Sequence, residues 1–127
     1  MNNRQKKTAP ETAISETESN RIVTINSIIK NSANVKILIL EPGEIPKPIR
    51  AADIPPEFLS RKLRCETLGT RFSLVSDAKS HEPMNISYAA DIYRGTVLIV
   101  NRGLHKLRPM SADDLNAAFV WLMNHKV

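Results

Sequence analysis

Between Ile92 and Ala112 the chain carries Arg94, Arg102, Lys106 and Arg108, together with His105, and no carboxylate. Guanidinium and ammonium groups without an internal counter-charge are the side chains that meet phosphate oxygens, so this stretch is the first candidate for a phosphate- or partner-binding surface. Tyr93, beside Arg94, adds a ring of the kind on which an unpaired base stacks. The same residues suit a second reading. They could form a solvated sheet face whose counter-ions come from elsewhere, such as Glu41 or Glu44, with Tyr93 half-buried in a strand. Basic side chains at a sheet edge also discourage edge-to-edge pairing.

Other reactive side chains are spaced less suggestively. Arg61, Lys62 and Arg64 form a further basic run, which reads as the solvent face of a helix. Cys65 follows that run, where neighbouring cations would lower a thiol pKa, but no nucleophile signature accompanies it. His81, His105 and His125 lie far apart and match no metal-ligand spacing, so no metal site and no cofactor is expected. Gly43, Gly69, Gly95 and Gly103 are isolated, which excludes a phosphate-cradling Gly-rich loop. Among the aromatics, the apolar patterning puts Phe58, Phe72 and Phe119 in the core. That leaves Tyr88, Tyr93 and Trp121 as stacking platforms.

The elements that must position these residues follow from composition and pattern. The chain has 127 residues and a formal net charge of +5, which permits an anionic partner without requiring one. Residues 1–20 are rich in Ser, Thr, Asn, Glu and Lys, with Ile14 the one large aliphatic beyond the starter Met, and read as a disordered tail. Residues 21–127 form a single domain large enough to bury roughly 60–70% of its unfolded surface. The lone cysteine excludes an internal disulfide. The lack of an apolar leader or a run long enough to span a bilayer points to a cytoplasmic protein with no membrane partner.

Along the chain, residues 22–29 fit a helical face and partly fit alternation, and their β-branched content leans toward a strand pairing with the next one. Val35–Leu40 (VKILIL) is a strand covered on both faces, ended by a turn at Glu41-Pro42-Gly43-Glu44. Ile45–Ile49 contains two prolines and belongs at a sheet edge. Asp53–Glu57 starts a helix that carries Leu59 and Leu63 on its buried side. Arg71–Ser76 and Thr96–Val100 are strands, Asp77–Asn85 is loop, and Ile86–Ala90 is a short strand or a turn. Asn101-Arg102-Gly103 reads as a tight hairpin connection into Leu104–Leu107, with Gly103 left-handed. The last helix is the sharpest signal. Ser111 and Asp114 form a capping-box-like pair, Met110 and Leu115 a staple, and Leu115, Ala118, Phe119 and Leu122 a core stripe. Val120, Trp121 and Met123 lie off that stripe and could serve as a second packing surface or a homo-oligomer contact. The sum is an α+β fold, a small mostly antiparallel sheet of four or five strands with two helices.

Four segments, VKILILEPGEIP (Val35–Pro46), LGTRFSLV (Leu68–Val75), DIYRGTVLIV (Asp91–Val100) and LRPMSADDL (Leu107–Leu115), resemble a small uncharacterised domain family of phages, conjugative plasmids and Firmicute mobile elements. The chain departs from that pattern at Asp77–Ala90. The resemblance carries no activity with it. It implies a phage or mobile-element accessory protein acting inside a bacterial cell. Together these features lead us to expect a non-enzymatic protein that works by macromolecular binding. The alternatives are a nucleic-acid-binding module using the basic hairpin, and a protein sequestering a small anionic ligand such as a nucleotide.

Overall fold

Two aliphatic runs become the centre of the molecule. The computed structural model describes residues 24–127, so the expected tail at residues 1–20 lies outside the described residues. The strands are β1 (Lys36–Leu40), β2 (Lys47–Arg50), β3 (Leu63–Leu68), β4 (Phe72–Asp77), β5 (Met84–Tyr88), β6 (Asp91–Arg94) and β7 (Val97–Val100). Five of them form an antiparallel sheet in the order β2-β1-β7-β4-β3, and β5 and β6 form a separate hairpin. The fold is α+β with an antiparallel sheet of five strands, as the sequence implies, and a separate two-stranded hairpin beside it.

An antiparallel strand with one wet face alternates apolar and polar residues; β1 and β7 do not, because the sheet is covered on both sides. On one face Ile37, Ile39, Val75, Leu98 and Val100 pack under a layer of short helices. These are α1 (Ile25–Lys30), a 3-10 turn at Ala51–Asp53, and the single turn α2 (Pro56–Leu59). On the other face Leu38, Leu40, Leu74, Val97 and Ile99 pack against Ile86 and Tyr93 of the β5–β6 hairpin and Ala118 and Leu122 of α3 (Ala112–His125).

Two local expectations are overturned. Ile25–Lys30 is helix rather than strand: the Thr24 side chain caps it by accepting from the Ser27 N–H, and Ile25, Ile28 and Ile29 bury one face. The α2 helix stops after one turn, so Leu63 and Arg64 are not helical but begin β3, whose six paired residues with β4 outweigh further helix. The expected short strand or turn at Ile86–Ala90 is both: strand to Tyr88 and then the turn of the β5–β6 hairpin. Tyr88 and Asp91 face each other across Ala89 and Ala90, at φ 52° and 62°. A two-residue turn with both φ positive is normally built from Asn-Gly, and alanine there costs about 1–2 kcal/mol per residue.

The α3 helix starts as its sequence dictates. The Ser111 side chain accepts from the Asp114 N–H, and the Asp114 carboxylate accepts from the Ser111 N–H. Pro48 sits on the edge strand β2, where a missing N–H does no harm. Gly43 takes φ 78° in the turn after β1, closed by Glu44 N–H donating to Glu41 C=O at 3.0 Å.

Candidate functional site

Register brings the polar ends of three strands together. Ser73 of β4 lies opposite Thr67 of β3 on one side and Val100 of β7 on the other. The chain leaves β7 through Asn101 into Arg102, and leaves β3 through the turn Gly69-Thr70-Arg71, where Gly69 has φ 65°. The result is a wide-mouthed concavity of about 390 Å³ lined by Thr67, Thr70, Arg71, Ser73, Arg102 and Arg108.

The loop carrying two of these arginines is tightly built. Arg102 and Leu107 form an antiparallel bridge, the Gly103 N–H donates to the Lys106 carbonyl at 2.9 Å, and the Arg108 N–H donates to the Asn101 carbonyl at 2.7 Å. This is a closed loop and not the regular second strand expected over Leu104–Leu107. Gly103 is not left-handed, contrary to expectation. Glycine is required for another reason: a Cβ there would lie 2.3 Å from the Lys106 carbonyl oxygen. Buried Ser32 anchors the loop to α1, its hydroxyl donating to Ile28 C=O at 2.6 Å and accepting from the Leu107 N–H at 2.7 Å.

Charge is unevenly compensated in the concavity. Arg71 pairs with the Asp114 carboxylate, which is buried at the start of α3, so this arginine is both held and neutralised. Among the described residues, no carboxylate lies within ion-pair distance of Arg102, Lys106 or Arg108. All three are exposed. Arg102 and Arg108 face a site that offers hydroxyls as further hydrogen-bond groups, an arrangement that can hold a phosphate or another oxyanion.

Arg94 and Tyr93 do not join them. They precede β7 at its opposite end, where Arg94 donates to the Glu82 carbonyl at 3.4 Å. Tyr93 is 2% exposed and cannot act as a stacking platform. Its ring is instead covered by the Arg64 guanidinium, 4.0 Å from the centroid. Arg64 also donates to Ser76 Oγ at 3.2 Å, Asp91 Oδ2 at 2.9 Å and the Ile92 carbonyl at 3.3 Å. Arg61 reaches Asp77 at 3.3 Å and Glu82 at 3.7 Å. The Ile92 N–H and then Arg64 hold the Asp91 carboxyl below its ordinary value. Burial, with Glu66 second, pushes the Tyr93 hydroxyl up.

The aromatic flank of α3 is also engaged within the chain. Trp121 stacks on His125 with centroids 4.1 Å apart and meets the Tyr88 ring edge-on at 5.1 Å. Because a carbonyl can only accept, the 2.8 Å contact from His125 Nδ1 to the Trp121 carbonyl puts the proton on Nδ1. Val120 and Met123 remain exposed on the outer side of the helix. Trp121 is therefore not part of a free flank with them.

Sequence reasoning found Arg102 and Arg108 but missed Arg71, Thr67, Thr70 and Ser73, and the expected Lys106 sits in the same loop without lining the concavity. Arg71 follows Gly69-Thr70, a turn signal that could have marked it as a loop-tip cation and not a strand residue. Among the described residues, no helix is long and apolar enough to cross a membrane. Comparisons with protein-family models, curated proteins and solved structures found no match, so nothing in them bears on the mobile-element resemblance.

Proposed function

We propose that this protein is a non-catalytic binding protein that holds the phosphate backbone of a nucleic acid in the concavity of Arg71, Arg102 and Arg108. The observation that carries this reading is the convergence of two arginines, uncompensated among the described residues, with Thr67, Thr70 and Ser73 on one depression of about 390 Å³. Arginine forks and hydroxyls are the groups that contact phosphate oxygens, and they supply binding without a proton-transfer step. The wide mouth favours a polymer over a sequestered small anion, because pockets for small ligands enclose roughly 70–90% of the ligand surface.

Fluorescence anisotropy with labelled oligonucleotides across a salt series tests it. Affinity should fall linearly with log salt. The double variant Arg102→Ala/Arg108→Ala should bind about ten- to a hundredfold more weakly, with a slope shallower by about 1.4–1.8. Arg94→Ala should change neither quantity. Absence of binding at low salt overturns the reading, as does equal loss in the Arg94 variant.

A further inference from the structure

Next to the arginine concavity lies a second, apolar depression of about 300 Å³, lined by Leu68, Phe72, Tyr88, Ile99, Ala117 and Trp121. Phe72 belongs to both depressions, and the β3–β4 turn is their common wall, with Thr67 and Thr70 lining one side and Leu68 and Gly69 the other. We infer that this slot seats an unpaired base whose phosphates lie in the arginine concavity, so that the nucleic acid bound is single-stranded.

The inference rests on the phosphate reading above and adds its own observations. A small apolar slot with ring surfaces on three elements, sharing Phe72 with a cation-lined concavity, matches a nucleotide unit: a flat apolar base joined to an anionic phosphate. Its aromatic wall is preorganised. Trp121 is fixed by the edge of Tyr88 and by the stacked His125 ring, which its own hydrogen bond to the Trp121 backbone carbonyl holds in place. A ring already locked in place loses little side-chain entropy when a base packs on it. Ile99, fully buried in the sheet, floors the slot and leaves it no charge to repel or pair with a base. In a duplex the bases are stacked inside and cannot enter such a slot without being flipped out, which costs unpairing energy. The base therefore discriminates between strand forms, whereas the arginines do not.

The single tryptophan of the chain provides the probe. With the full chain, a short oligothymidylate should quench Trp121 emission and bind about tenfold or more tightly than an abasic oligonucleotide of equal length. A duplex of equal length should bind without quenching. Ala117 is exposed on α3 and lines the slot, so Ala117→Leu fills it without touching the core. That variant should keep its melting temperature and its salt slope while losing the preference for the oligothymidylate over the abasic strand. Equal affinity for all three probes with no change in Trp121 emission overturns the inference and leaves the phosphate reading standing. Failure of all three to bind overturns both.

Discussion

Two arginine clusters flank β7, and they differ in how their charges are compensated. At its start, Arg61 and Arg64 meet Asp77, Glu82 and Asp91, and Arg64 lies flat on Tyr93. Both of those guanidinium groups have carboxylate partners, and that of Arg64 covers Tyr93 of the hairpin. At its end, Arg71 is paired through Asp114, while Arg102 and Arg108, without an ion-pair partner among the described residues, face a hydroxyl-lined depression. Cationic side chains alone do not make a binding site; the placing of the carboxylates does. A satisfied cluster adds to folding free energy, and an unsatisfied one keeps its interaction energy for a ligand.

The sharpest way to break this comparison is Gly103→Ala. The added carbon cannot coexist with the Lys106 carbonyl, so the loop must open. A loss of about 1–3 kcal/mol in urea unfolding is expected, together with loss of oligonucleotide binding, because Arg102 and Arg108 hang from the two ends of that loop. Retained binding with a displaced loop would show that the arginines are not positioned by it. Next in size, Arg64→Ala should lower stability by on the order of 1 kcal/mol through the lost ring cover and the bonds to Ser76 and Ile92, with oligonucleotide affinity unchanged. A drop in affinity there would mean that both clusters bind.

The smallest effect is in the pH dependence of the Arg64 cluster. The Tyr93 hydroxyl titrates higher in the folded than in the unfolded chain. Its contribution is therefore full below about pH 10, the unfolded value, and is lost as the pH rises through the folded one. Asp91 is shifted the other way, so its contribution is present above the ordinary carboxylate range and lost as the pH falls. Unfolding curves of Tyr93→Phe should show a flatter alkaline limb than the parent and an unchanged acid limb. An alkaline limb of equal slope in the two proteins would remove Tyr93 from the account.

The sequence made some of this legible and concealed the rest for identifiable reasons. Lys36–Leu40 and Val97–Val100 are readable because an unbroken aliphatic run has few homes other than a strand buried on both faces. Ala112–His125 is readable because Ser111 and Asp114 declare its first turn. The β5–β6 hairpin is not, since Ala89-Ala90 carries none of the turn chemistry that its backbone requires. β3 is hidden behind Pro55-Pro56-Glu57, a helix signal that is true for one turn only. The site is half visible for the same kind of reason. Arg102 and Arg108 stand out as cations without nearby acids, yet Arg94 was grouped with them because sequence proximity does not reveal that β7 holds them apart. Thr67, Thr70, Arg71 and Ser73 join them only through the pairing of β4 with β7, which depends on sheet order.

That pairing also sets when the protein can exist as a folded object. Leu38 of β1 finds its partner in Ile99 of β7, about sixty residues later in the chain. At synthesis rates of about 5–20 residues per second, the wait between the two is on the order of 3–12 s. Throughout it, a fully aliphatic strand is finished and unpaired on one side, the kind of segment that seeds aggregation. Lys36 at its start and Glu41-Pro42 after it are positioned as gatekeepers against that fate. The residues that bound β1 thus protect the nascent chain as well as terminating a strand.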